Sequence, residues 1–183
     1  CAWGHAACVA ALQLVDEKQI SVEQIARIEV RTFEEAVRLY QGYPTTTEEA
    51  QFSVQWPLAC LLLDGELGPK QILEDRFQDP EVRSLVDRIE MVLDPEVDEL
   101  YDSGQEMDLR MYSAVTITLK DGLSYDSGIV ERAADEWDAE SLERKFRWLV
   151  GHVLDAEVVD RLVDMVWEFD TLPDVREMTR ELA

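Results

Sequence analysis

Pro44 to Gly65 reads PTTTEEAQFSVQWPLACLLLDG, and the reading of the whole chain turns on it. Thr46 is placed to cap a helix with Glu49 at its third position, and Glu48 and Glu49 complement the positive end of that helix. From Ala50 onward apolar residues occupy almost every side, through Val54, Leu58, Leu61, Leu62 and Leu63, the pattern of a helix buried all round. Pro57 interrupts it, because it disfavours helical geometry at Trp56 and carries no backbone donor. The expectation is a kink there, or one short helix that ends and a second that begins with Pro57 at its first position.

Upstream, CAWGHAACVAALQLVDEK reads as a helix entered near its middle at Cys1, with apolar Ala7, Val9, Ala10, Ala11, Leu12 and Leu14. Such a start suggests a fragment of a longer protein, or trimming upstream. Ser21 and Gln24 have the spacing of a capping box. Arg27, Glu29 and Arg31 then alternate with Ile28, Val30 and Thr32, the period of a half-buried strand. Glu34 to Tyr40 is helical in composition, and Gln41 to Pro44 is a turn.

Downstream, prolines open two short helices, Pro69 to Phe77 and Pro80 to Arg88. Ile89 to Leu93 reads as a strand, and Asp94 to Asp108 as an acidic loop. Met111 to Val130 reads as a hairpin, with Lys120-Asp121-Gly122 in its tight turn. After Arg132 the pattern is purely helical: Ser141 and Asp155 are the expected caps of two helices, and Thr171-Leu172-Pro173 starts a third. The fold class is therefore α+β: a small mixed domain with an antiparallel hairpin and flanking helices over residues 1–132, then a helical tail over 133–183.

Composition bounds the function. The 183 residues, 46% of them apolar, can bury a core. Forty acids against 17 bases give a net charge of −23, so a nucleic acid or an anionic membrane would repel this chain. Arginine outnumbers lysine 13 to 4. High acidity with scarce lysine points either to a halophilic source, where concentrated salt shortens the Debye length to about 3 Å at 1 M, or to an ordinary acidic cytoplasmic protein. No 18-residue apolar run occurs, and no basic segment followed by an apolar one opens the chain, so the expected location is the cytoplasm. Cys1, Cys8 and Cys60 form no CxxC pair, which argues against a disulfide framework or a zinc site and for buried free thiols.

The order of motifs resembles the C-terminal part of the MmgE/PrpD family, which includes 2-methylcitrate dehydratases, cis-aconitate decarboxylases and iminodisuccinate epimerases. The matching elements are Cys1-x-x-x-His5, the strand phrase from Ile25 to Val30, the Pro-Thr-Thr…Ala-Gln-Phe-Ser segment with its Leu-Asp-Gly end, and Asp79-Pro80-x-Val82. The Lys120-Asp121-Gly122 hairpin and the Ser141 to Phe146 helix start complete the set. Together they cover nearly the whole chain.

The resemblance implies a lid over residues 1–132 that closes on a larger helical domain, with the 133–183 tail packed on that domain. It also implies proton removal α to a carboxylate on a small di- or tricarboxylate, followed by elimination, decarboxylation or reprotonation, with no cofactor and no metal. Such chemistry needs a base near the operating pH and donors for the carboxylates. By resemblance His5 is the catalytic histidine, and Gln51, Ser53 and Trp56 line the substrate site. The same residues also have plain structural readings: His5 satisfied by backbone at a helix start, and Ser53 bonded to a carbonyl within a helix. His152 matches no motif and reads as structural. Trp56 stands where decarboxylase-like members carry a tyrosine, and an indole offers a donor but no acid–base proton. Arg110 and Lys120 are candidate counter-charges. The implied partners are the polycarboxylate substrate, a helical N-terminal domain or subunit of the same family, and further copies of the chain in a homo-oligomer such as a dimer. The competing reading is a non-catalytic lid or oligomerisation domain that completes the site of a partner chain.

Overall fold

The computed structural model describes residues 1–104, 110–132 and 138–182, in two units, Cys1–Ala134 and Asp135–Ala183. In chain order, α1 (His5–Lys18) precedes β1 (Ile25–Thr32). Four helices, α2 (Glu34–Val37), α3 (Thr47–Gln51), α4 (Gln55–Asp64) and α5 (Pro80–Val86), lead to β2 (Ile89–Leu93). Then α6 (Pro95–Gly104) leads to the hairpin of β3 (Tyr112–Leu119) and β4 (Ser124–Glu131). The strands form a mixed sheet in the order β2-β1-β3-β4, parallel only between β1 and β2. This is an α+β architecture, as the alternation of the sequence implies.

The sheet has one apolar and one charged face. Ile28, Val30, Val115, Ile117 and Leu119 point into the core. Ile25 is buried on the same side although it lies three residues before Ile28, because the β1–β3 register slips between Ile25 and Arg27. On the other face Arg27 pairs with Glu29 and Glu90, and Arg31 reaches Asp126 at 2.6 Å and Asp94 at 3.5 Å. Half-exposed pairs of this kind contribute little stability; of them only Arg27–Glu90 joins two neighbouring strands, β1 and β2. The hairpin turns at Gly122, whose φ of +91° favours glycine; Leu119 N–H donates to Leu123 O at 2.8 Å.

Four local expectations are corrected. The helix break near Trp56 falls instead at Phe52–Ser53, between α3 and α4, and Pro57 is the third residue of α4. A first-turn proline removes an N–H that has no partner within the helix, so Pro57 fits there at little cost. Pro69 to Phe77 is not a helix but two 3-10 turns, Pro69–Gln71 and Glu74–Arg76. Asp94 to Gly104 is not a loop, because Pro95–Gly104 is helical; residues 105–109 lie outside the described residues. In the second unit α7 (Ala139–Val150) is capped by Asp138, whose Oδ1 accepts from Ser141 N–H at 2.7 Å, so Ser141 is its third residue rather than its cap.

Asp94-Pro95-Glu96-Val97 repeats Asp79-Pro80-Glu81-Val82. In both, the aspartate caps the helix, Asp79 accepting from Glu81 N–H at 2.8 Å and Asp94 from Glu96 N–H at 2.9 Å, and the valine is fully buried. Val97 joins Phe33, Tyr101 and Met111 in a second core, where Tyr101 stacks on Phe33 with ring centroids 3.8 Å apart.

The second unit holds α7, α8 (Ala156–Trp167) and α9 (Arg176–Arg180). Asp155 stands at the N-cap of α8, as its sequence suggests, and Trp167 Nε1 donates to Glu143 at 3.0 Å. Only Val159, Leu162 and Val163 are buried among its described residues, while Leu142, Val166, Trp167 and Phe169 stay exposed.

Burial acts to raise the Asp79 carboxyl, but the backbone N–H groups of Val82 and Glu81 and the charge of Arg76 outweigh it and hold the group below its usual value. A depressed carboxyl contributes stability that is present above its unfolded pKa, about 3.9, and lost as pH falls through its folded value. Asp79→Ala is therefore expected to cost about 1 kcal/mol at pH 7 and progressively less at acid pH, read from urea unfolding at each pH. An equal cost at both extremes would exclude a role for the charge.

Candidate functional site

The head of α1 and the segment Gln51–Val54 form the region on which the sequence-derived site residues converge. One face of α1 is nearly all alanine, with Ala6, Ala7, Ala10 and Ala11 fully buried. Side chains this small let the helix lie close against β3, β4 and α4. A short 3-10 turn, Ala2–Gly4, leads into it. Gly4 is buried at that entry, where a Cβ would meet Val54 at 3.7 Å. The Cys1 nitrogen donates to Gln51 O at 3.1 Å. These two contacts dock the helix that carries His5 onto the turn between α3 and α4.

The four residues differ in what they present. His5 is exposed as the first residue of α1. Gln51 is exposed as the last residue of α3, and its amide donates back to Thr47 O at 3.1 Å. Ser53 is only 1% exposed, and its Oγ accepts from Trp56 N–H at 3.3 Å. Trp56 is fully enclosed, edge-on to Phe77, with its indole N–H given to Gln71 O at 2.9 Å. His5 and Gln51 thus lie at the surface, whereas Ser53 and Trp56 are buried. Phe52, 58% exposed between Gln51 and Ser53, is an apolar group beside this surface that the sequence did not single out.

The turn itself is held from several sides. Thr46 caps α3 as its sequence predicts, its Oγ1 accepting from Glu49 N–H at 3.2 Å. The Glu49 carboxylate is taken up by Thr45 N–H and Oγ1, which holds it below its usual pKa. Tyr40 N–H donates to Phe52 O at 2.8 Å. Buried Gln55 accepts from Gly42 N–H and donates to Ile89 O, tying the Gln41–Pro44 turn to β2. Nothing in the sequence marks Gln55 for this part, because both its partners are backbone groups distant along the chain.

Other candidates fall elsewhere. His152 packs edge-on against Trp148, 5.7 Å between centroids, and Arg110 lies 3.7 Å from Glu131. The cysteines are free; Cys60 is buried and Cys8 partly so, but Cys1 is exposed, which corrects the expectation of three buried thiols. Burial pushes the Cys8 and Cys60 thiols up to about 12, so neither supplies a thiolate nucleophile at neutral pH. Among the described residues no group of three or more His, Cys, Asp or Glu side chains is arranged to hold a metal ion, and no helix is long and apolar enough to cross a membrane.

The chain is 26% identical to human (Homo sapiens) cis-aconitate decarboxylase over 141 residues, 75% of its own length. To the mouse (Mus musculus) protein of the same name it is 26% identical over 147 residues, 76% of its length. It spans only 28% of the length of each of these relatives. Residues 1–170 match the MmgE/PrpD C-terminal domain; on that match, with the α+β unit and its histidine-headed helix, the chain belongs to the MmgE/PrpD family.

Proposed function

We propose that this chain is the lid-bearing C-terminal part of a cofactor-independent lyase or isomerase, and that His5 exchanges the proton α to a carboxylate on a small di- or tricarboxylate. The pairing that carries the proposal is membership of a family with lyase relatives and an exposed histidine on a helix head tied to Gln51. Imidazole is the side chain whose unperturbed pKa suits proton exchange near neutrality. In this reading Gln51 offers its amide to a substrate carboxylate and Phe52 covers an apolar part of the substrate.

The rest of the pocket comes from the helical remainder of the enzyme. Supporting this, α7 and α8 flank an open cleft of about 330 Å³ lined by Leu142, Phe146, Val163, Val166 and Trp167 with Glu143 among them. Apolar surface left this open is commonly covered in the assembled protein. The second reading, a lid that completes a partner chain's site, draws on the same exposed surface.

Three outcomes are expected. The complete protein, screened against 2-methylcitrate, citrate, cis-aconitate and iminodisuccinate, turns over at least one of them; activity that appears only on adding a separate helical chain assigns the second reading. His5→Ala lowers kcat by about 10²–10⁴-fold with an unchanged melting temperature, and wild-type turnover would remove His5 from the mechanism. Because a net charge of −23 repels itself and salt screens that repulsion, the melting temperature rises between low salt and 1 M KCl. A flat or falling profile would exclude adaptation to high salt.

A further inference from the structure

We infer that Ser53 is a positioning residue that caps α4 and thereby fixes the substrate-facing surface, and that its hydroxyl does not touch the substrate. This rests on the functional reading above and sharpens its site.

The hydroxyl oxygen already has a partner inside the protein. Ser53 Oγ accepts from Trp56 N–H, three residues on, at 3.3 Å, which is the donor an N-cap side chain satisfies at the third helical position. Val54, the residue before the helix, carries no side-chain acceptor, and its φ of −97° and ψ of −42° are already helical. Ser53 is thus the residue from which the first turn departs. Its 1% exposure leaves no path for a ligand to the oxygen. The first turn of α4 is buried and apolar at Trp56, Pro57 and Leu58, so the Trp56 N–H has no water to turn to if the serine is lost.

The cap also matters for what is attached to it. Ser53 lies in the turn to which the α1 head is docked, between Gln51, whose carbonyl accepts from the Cys1 nitrogen, and Val54, whose side chain would meet a Cβ placed on Gly4 at 3.7 Å. A parallel bridge from Tyr40 to Ser53 braces the same residue from the far side. If the first turn of α4 loosens, Gln51 and the helix carrying His5 lose their common support. A 1 Å displacement of a reacting group is enough to lower the rate on the order of 10²-fold without weakening substrate binding in proportion.

Three variants of the complete protein separate the possibilities: Ser53→Ala, which removes the acceptor; Ser53→Thr, which keeps it; and Ser53→Asp, which keeps it and adds a negative charge. A capping role predicts that Ala lowers kcat several-fold with KM within about twofold of wild type, and that Thr restores kcat. It also predicts faster amide exchange in the first turn of α4, by roughly fivefold, for Ala alone. Asp keeps KM for the anionic substrate near wild type, provided its melting temperature shows that it folds; if it does not, the Ala and Thr pair decides. The His5 ring signals in an NMR spectrum move in Ala and return in Thr. A raised KM at constant kcat, with the His5 signals unmoved, would instead assign the hydroxyl to the substrate and overturn the inference. So would an Ala variant indistinguishable from wild type throughout. Should the wild type turn over no carboxylate, the functional reading falls by itself; the exchange rates and the His5 signals still decide whether Ser53 holds the surface.

Discussion

From Gln55 to Leu62 helix α4 has no solvent face, so every polar group on it must find a partner inside the protein. That constraint organises the N-terminal unit. The Trp56 indole draws in the Gln71 carbonyl, and the Cys60 thiol points at the same oxygen from 3.7 Å. Gln71 in turn donates to Asp64 at 3.0 Å and accepts from Gly68 N–H at 2.9 Å, while Arg76 bridges Asp64 and Asp79. The stretch from Gly65 to Asp79 has only 3-10 turns of its own. It is held down by what the buried helix requires of it, which is why a proline-opened segment there does not continue as an α-helix.

The same helix sets where the candidate chemistry lies. Its first turn fixes the Gln51–Val54 segment, and that segment receives the head of α1. An alanine face on α1 permits the approach, because larger side chains would hold the helix off the sheet. His5 is exposed and directly follows the buried Gly4. The charged face of the sheet, with Arg31 between Asp94 and Asp126, lies on the side opposite the core and takes no part in this arrangement.

Where local chemistry decides, the sequence was readable. The Thr46 cap, the strand from Ile25, the Gly122 hairpin and the start of α8 each rest on residues within a few positions of one another, and the structure contains each of them. The helix at Pro95 is readable too: Asp-Pro-Glu-Val starts a helix at Asp79 and stands again at Asp94. Its acidic composition hid an apolar pair, Val97 and Tyr101, at helical spacing. The cap of α7 lies three residues before Ser141, because Ser141 and Asp138 are both good caps and only the backbone path chooses between them.

The sequence by itself determined the family and the α+β order of elements, because motif order and short-range spacing are properties of the chain; His5 and Gln51 it put forward as candidates. It could not determine which residues of the Gln51–Trp56 segment face outward. Tertiary structure alone decided that His5 and Gln51 lie at the surface while Ser53 and Trp56 turn inward, because the choice depends on partners far along the chain: Gln71 for the indole, Gly4 for Val54 and Cys1 for Gln51. A buried N–H takes the acceptor that the fold brings to it, and no local pattern states which one that will be.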